Sequence, residues 1–323
     1  MAAPAKQKYV NELLENELLE GIYLVRSRNL RTARNGSLYL QLELADRTGA
    51  IKAMYWNASQ ALADQIGPDG FVRIKGKTEQ YQGNVQLVIT SIFPADESEV
   101  NPDDFVPRTR FDVEELWGRF QGLVSSLKDQ DLVRVMTAFV EDKDLVDKFR
   151  QAPAAVSNHH ACVGGLLEHT VSVMELADWL GGRYQILDRD MLMVGAAFHD
   201  IGKTEELAFG AAFRYTDSGM LVGHLAQGML ILERLAARIG GFPAERLDLI
   251  RHMILSHHGS HEFGAPTLPV TAEAIALNLL DNIDAKMEGF RLAVERDQSA
   301  DAWTASYERM FNQRRIFKGK AAQ

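Results

Sequence analysis

Phe198-His199-Asp200-Ile201-Gly202-Lys203 is the stretch that decides how this chain is read. It sets an imidazole and a carboxylate side by side. The apolar run from Met191 to Phe198 predicts a buried helix, and Gly202 predicts its stop. Within a helix, adjacent side chains diverge and do not face each other. At a helix end both can turn toward one centre, and Lys203 follows as a nearby cation.

Working outward, further imidazoles and carboxylates sit at matching places. His169 follows Gly164-Gly165-Leu166-Leu167-Glu168, and His224 follows Gly223 early in a predicted helix over 220–239. His257 and His258 end a predicted helix over 244–257, just before Gly259. Asp281 lies in the apolar run Ala276-Leu277-Asn278-Leu279-Leu280, where a lone carboxylate is costly unless paired or metal-bound. The H…HD…H…HH…D series supplies enough ligands for two ions. One division gives the first ion His169, His199, Asp200 and Asp281. The second takes His224, His257 and His258, with Asp200 bridging.

Mixed nitrogen and oxygen ligation suits divalent transition metals, with Mn²⁺ placed first and Fe²⁺, Co²⁺, Ni²⁺ or Zn²⁺ as alternatives. It disfavours an all-oxygen Mg²⁺ or Ca²⁺ site. Any one of these histidines taken singly is more often a buried or surface residue. For the set, His-Asp adjacency, His-His adjacency and an Asp inside an apolar helix have no common explanation except convergence. Asp200 and Lys203 are the candidate catalytic groups, Lys203 as a phosphate contact. Asp284, one turn past Asp281, is either an outer partner of a ligand or exposed. His160 faces substrate or plays a structural part. His159, His252 and His261 lack comparable placement.

The bulk numbers bound the rest. A chain of 323 residues predicts two domains or one large one, and 46% hydrophobic residues can supply full cores. No apolar run is long enough for a membrane span, and the residues after Met1 form no apolar leader. The single cysteine, Cys162, rules out an internal disulfide and a Cys-rich zinc site. A cytoplasmic protein with no membrane partner is the expectation.

The net charge of −9 argues against a nucleic-acid partner at first sight. From Glu20 to Phe93, however, nine Lys or Arg face six Asp or Glu, so this segment is basic and the remainder carries the acid. The same segment alternates. Ile22–Val25, Leu38–Leu44, Ala50–Trp56, Phe71–Lys77 and Val85–Ile89 read as strands, with a hairpin turn at Asp46-Arg47-Thr48-Gly49 and a short helix over 58–66. Five short strands with a helix between the third and fourth is the order of an OB-fold barrel, which holds single strands with cations and stacked aromatics. Candidate contacts are Arg26, Arg28, Arg31 and Arg34, read as a loop, together with Tyr39, Tyr55, Lys75 and Tyr81. Trp56 is read as structural.

Pro94, Pro102 and Pro107 among acidic residues predict a linker over 94–110. From Val113 onward the periodicity is helical, with helices expected over 113–126, 130–139, 165–180, 188–199, 220–239, 244–257 and 270–294. The fold class is therefore multidomain β + α: an N-terminal five-stranded OB-fold barrel followed by an all-α domain. The expected division is an arm over 1–20, the barrel over 21–93, the linker over 94–110, the helical domain over 111–310 and a frayed basic tail over 311–323.

At Gly165-Leu166-Leu167-Glu168-His169-Thr170, His199-Asp200-Ile201-Gly202-Lys203, Gly223-His224, Ile254-Leu255-Ser256-His257-His258-Gly259, Glu262-Phe263-Gly264-Ala265-Pro266 and Asp281-Asn282-Ile283-Asp284, the sequence resembles the HD-domain metal phosphohydrolases. With the OB-fold in front, it is similar to the YhaM-type 3′-5′ exoribonucleases from about Gly21 to about Arg296. The resemblance implies a metal-dependent phosphodiesterase that removes nucleoside 5′-monophosphates from the 3′ end of single-stranded RNA, with DNA a further substrate. A homo-oligomer stays open. Two other readings are an HD phosphohydrolase of small nucleotides with a regulatory OB domain, and a non-catalytic single-strand-binding adaptor.

Overall fold

Leu40, Leu42 and Leu44 alternate along β2 (Leu38–Asp46) and are almost wholly buried, because a strand sends every second side chain to the same face. A two-residue turn, with Asp46 accepting from the Thr48 backbone and hydroxyl, leads into β3 (Gly49–Trp56). The leucines of β2 pair with Tyr55, Ala53 and Ile51 across this hairpin. β1 (Leu18–Thr32) is shared by β2 on one side and β4 (Phe71–Tyr81) on the other. β5 (Asn84–Ala95) pairs antiparallel with β4 and parallel with β3, which closes the barrel in the order β1-β2-β3-β5-β4. Helix α1 (Gln60–Gln65), capped by Ser59, sits between β3 and β4 in the chain. This is the OB-fold expected from the sequence.

The computed structural model describes residues 8–81, 84–156, 160–209, 213–297, 299 and 301–319. Two compact units result, with the first ending at Arg108 and the second starting at Thr109. In the first unit the acidic segment after β5 is folded rather than loose. Phe105 and Val106 are buried, and Phe105 meets Phe71 edge-on at 4.8 Å beside Ile22 and Leu24. Apolar contacts of this kind outweigh the linker-like composition.

The second unit is helical: α2 (Val113–Ser125), α3 (Gln130–Val140), α4 (Lys143–Gln151), α5 (Gly165–Arg183), α6 (Arg189–Phe198), α7 (Lys203–Glu206), α8 (Asp217–Ile239), α9 (Ala244–Ser256) and α10 (Ala272–Arg296). Asp112, Asp129, Asp142, Asp188, Thr216 and Thr271 each cap a helix with their side chains, accepting otherwise unpaired N–H groups. α6 is buried on all sides, and Phe120, Phe139, Phe149 and Phe198 interlock around it with centroids 5.3–5.7 Å apart. Helices α4 and α7 were not expected from the sequence, nor was a short hairpin of β6 (Leu207–Phe209) and β7 (Phe213–Tyr215).

Up to Lys318 the C-terminal segment is anchored, where the sequence predicts fraying from 311; residues 320–323 lie outside the described residues. Trp303 bridges Phe317, Glu308 bridges Arg314, Ile316 and Thr304 are buried, and Lys318 pairs with Asp297. Among the described residues no helix is long and apolar enough to cross a membrane.

Candidate metal centre and nucleic-acid face

His199 caps the C-terminus of α6, so its side chain and that of Asp200 converge, with Nε2 3.4 Å from the Asp200 carboxylate. His169 comes in from the second turn of α5, with Nε2 3.1 Å from His199 Nε2 and 3.3 Å from Asp281 Oδ1 on α10. On the other side of Asp200, Oδ1 lies 3.7 Å from His224 Nε2 and 3.6 Å from His257 Nε2. His258 Nε2 is 3.3 Å from His224 Nε2. The ligand atoms of His169, His199 and Asp281 all fall within 4.8 Å of one another, and so do those of His224, His257 and His258. Asp200 presents one oxygen to each group. All seven residues expected to converge are brought together.

Two glycines permit this approach. A Cβ on Gly202 would lie 1.9 Å from the His224 carbonyl, so only glycine lets α8 pack on the His-Asp turn. Gly223 breaks α8 at φ 75° and ψ 157°, a left-handed region costly for other residues, and this break aims His224 inward.

The far nitrogens decide what the near ones can do. His199 Nδ1 donates to the Ala196 carbonyl at 2.8 Å, and His257 Nδ1 donates to the Ile254 carbonyl at 2.8 Å. A carbonyl only accepts, so each ring carries a proton on Nδ1 and turns its Nε2 inward, where a lone pair can face a cation. His224 Nδ1 faces Glu206 Oε1 at 3.0 Å. Burial would raise the Glu206 carboxyl, but the contacts with His224 hold it below its ordinary range, so it accepts. His169 Nδ1 faces Asp284 Oδ2 at 2.7 Å, and His160 Nε2 faces the same oxygen at 2.9 Å. His160 therefore shares the Asp284 carboxylate with His169 and sits on the outer side of that ring. This pattern of outward N–H bonds and inward lone pairs is how metal-binding imidazoles are held.

Charge supports the same arrangement. Burial works against the Asp200 anion, yet the Lys203 ammonium beside it holds its carboxyl well below the usual range. Lys203 pairs with Asp200 Oδ2, while the buried Oδ1 has no hydrogen-bond partner among the described residues. Such an atom is costly unless a cation or water meets it. Burial lowers the basicity of His257, and burial beside His257 and His224 lowers His258 to about 4, so both rings are neutral and able to coordinate. For His169, burial pulls down, but Asp281 and Asp284 outweigh it and raise the pKa to about 10. Without a metal ion, a proton on this ring occupies the space between carboxylates.

The centre opens into a cavity of about 880 Å³. Its wall includes Lys203 and Glu206, Tyr215 from β7, Phe263, Asn278, Asn282 and Lys286 along α10, and Met310 and Asn312 from the C-terminal segment. Sequence reasoning missed Glu206, Tyr215 and the α10 polar stripe, since no motif spacing marks them. His252 and His261 are engaged elsewhere, with the Val270 N–H and the Ala265 carbonyl. His159 lies outside the described residues.

On the barrel, β1 continues through Thr32 where the sequence predicts a loop. Backbone pairing to β2 sustains a strand whose outward side chains are polar, and Arg26 falls at the bulge between Val25 and Ser27. Arg31, Tyr39 and Trp56 lie side by side across three strands, with the two rings 5.0 Å apart. Trp56 is 48% exposed, which corrects its reading as a structural residue. Arg28 pairs with Leu42 and so takes the opposite face from Arg31, while Arg34 sits in the β1–β2 turn. Tyr55 packs against the barrel core rather than joining the aromatic pair. Lys75 is 2.9 Å from Glu20 in an exposed ion pair, and Tyr81 is exposed at the end of β4.

Residues 166–286 match the HD domain family, and residues 24–95 match a family described as an OB-fold nucleic acid binding domain. The chain is 34% identical over 281 residues to the 3′-5′ exoribonuclease YhaM of Bacillus subtilis, covering 87% of this chain and 88% of that protein. It is 35% identical over 274 residues to the protein of the same name from Bacillus licheniformis, covering 84% and 86%. With that of Oceanobacillus iheyensis it shares 32% over 289 residues, covering 88% and 89%. The HD match and the His/Asp clusters point to a divalent metal. Similarity spanning both the barrel and the helical unit places this chain in the YhaM family of 3′-5′ exoribonucleases, hydrolytic nucleases with an HD domain.

Proposed function

We propose that the protein is a metal-dependent 3′-5′ exoribonuclease that releases nucleoside 5′-monophosphates from single-stranded RNA, and from DNA as a second substrate, in the cytoplasm. The observation that carries this is that His199, His224 and His257 have their outer nitrogens bonded away and their Nε2 atoms turned on Asp200, whose buried Oδ1 has no hydrogen-bond partner among the described residues.

His169, His199, Asp200 and Asp281 would hold one divalent ion, and His224, His257 and His258 a second, with Asp200 shared between them. Mn²⁺ fits this donor set first, with Fe²⁺, Co²⁺, Ni²⁺ and Zn²⁺ as alternatives. Bound there, the ions supply Lewis-acid polarisation of the phosphoryl oxygens and lower the pKa of water. The chain's own groups do the rest. Lys203 lines the cavity beside Asp200 and places its ammonium to stabilise negative charge on the phosphoryl group. Asn282 and Lys286 continue the polar wall, available to the next phosphate. Arg31, Tyr39 and Trp56 form the barrel's strand-binding face, with cation and stacking contacts that read no sequence.

Degradation of strands labelled at the 3′ or the 5′ end tests the direction. Early release of a labelled mononucleotide only from the 3′-labelled strand is expected. Early release from the 5′ end, or internal cuts, would overturn the reading.

A further inference from the structure

The C-terminal arm is a feature that this function leaves unused. From Asp301 to Lys318 the chain runs out and back as an irregular hairpin, bridged at Trp303–Phe317 and Glu308–Arg314. Its base is fixed by buried Thr304 and Ile316 and by the Lys318–Asp297 ion pair. Its tip is fixed on α10, where Phe311 meets Phe290 edge-on at 6.1 Å. At that tip Met310 and Asn312 form part of the cavity wall.

The exposed side of the arm has the wrong chemistry for an idle surface. Trp303, Tyr307 and Phe317 are 49%, 67% and 54% exposed, and Trp303 and Phe317 form an edge-on pair at 5.2 Å. Arg309 and Arg314 are also exposed, and among the described residues neither makes an ion pair. Unpaired guanidinium groups interleaved with open aromatic faces match a single-stranded nucleic acid, with phosphates for the cations and bases for the rings. A protein partner would have to bring carboxylates to the same positions. A strand lying along the arm would arrive where the cavity opens.

We propose that the arm is a second single-strand-binding surface, separate from the barrel, that guides the 3′ end of RNA into the HD cavity. This rests on the exoribonuclease reading above. Arg309 and Arg314 would each meet a phosphate, and Trp303 would stack on a base.

The test is the affinity of the full chain for a fluorescent dodecameric RNA whose 3′ linkages are phosphorothioates that resist hydrolysis, measured by anisotropy over a range of salt. The double variant Arg309→Gln/Arg314→Gln is expected to weaken Kd about tenfold and to flatten the salt slope by about 1.4, two phosphate contacts at about 0.7 each. Trp303→Ala is expected to weaken Kd about tenfold with no change in salt slope, as loss of one stacked base would do. A Kd within about threefold of the unaltered chain in both variants would overturn the proposal. So would a change in molecular mass by light scattering with Kd unchanged, which would mark the arm as a contact between copies. Failure of the unaltered chain to degrade RNA would instead sink the exoribonuclease reading, because the binding measurement does not depend on cleavage.

Discussion

Asp284 Oδ2 lies 2.7 Å from His169 Nδ1, on the side of the ring away from Asp200. The same carboxylate meets His160 and the Ser172 hydroxyl, so both its oxygens are engaged. Burial would raise its pKa, but His160 and His169 hold it far below the ordinary range, and it stays an anion. Asp284 therefore fixes the proton of His169 on Nδ1 and leaves Nε2 for a metal ion. Asp284→Asn weakens that orientation. The expected loss is about 10–100-fold in Mn²⁺ affinity, read from the Mn²⁺ dependence of RNA hydrolysis, with activity largely recovered at saturating metal.

Metal uptake is expected to release protons near neutral pH. Without metal, His169 titrates at about 10, so its ring is protonated at neutral pH. Coordination needs the neutral ring, and the proton leaves as the metal enters. Calorimetric titration with Mn²⁺ in buffers of different ionisation enthalpy measures this directly. The apparent enthalpy is expected to depend on the buffer at neutral pH, with release of about one proton or more. Uptake should weaken as pH falls, because protons then compete harder. An enthalpy independent of the buffer would contradict this picture of His169.

Gly202 is a steric requirement for the site. The 1.9 Å approach of the His224 carbonyl to a Cβ at this position cannot be absorbed by moving a flexible side chain, since the atoms the Cβ would meet are the backbone of His224 and Gly228. Gly202→Ala should push α8 off the His-Asp turn. A loss of about 1–3 kcal/mol in stability is expected from thermal melts, with activity falling further than stability because His224 moves with the backbone.

The barrel face makes a separate prediction. Trp56→Ala removes the exposed ring beside Tyr39, and Arg31→Gln removes the cation next to it. Trp56→Ala should raise KM for a long RNA by about tenfold, with kcat within about twofold, as stacking worth about 1–3 kcal/mol implies. Arg31→Gln should flatten the salt dependence of KM. Tyr55→Phe, altering a ring packed on the barrel core, should leave KM unchanged. A fall in kcat alone in Trp56→Ala would remove the face from strand binding.

Much of this architecture is legible in the sequence, for physical reasons that differ from element to element. The β2 leucines announce a strand because one face is dry and the other wet. The His199-Asp200 pair announces a site because adjacency at a helix end is otherwise hard to satisfy. The arginines of β1 mislead because a strand needs only backbone partners, and polar side chains leave no apolar signal. β6 and β7 are too short for any period to register. Glu206 hides because a carboxylate's partner is chosen by tertiary packing, as with His224, whereas Asp284 is marked by its place one turn past Asp281. Trp56 looks like core until its exposure is seen. The C-terminal arm looks like a loose basic tail, since neither its bridges nor the burial of Ile316 has a periodic signature.

The rate of mononucleotide release from a 3′-labelled RNA, measured in excess EDTA and again after Mn²⁺ add-back, tests the central claim most directly. If the imidazoles and carboxylates around Asp200 work by holding divalent ions, release stops in the chelator and returns with the metal. Undiminished release in EDTA would contradict it.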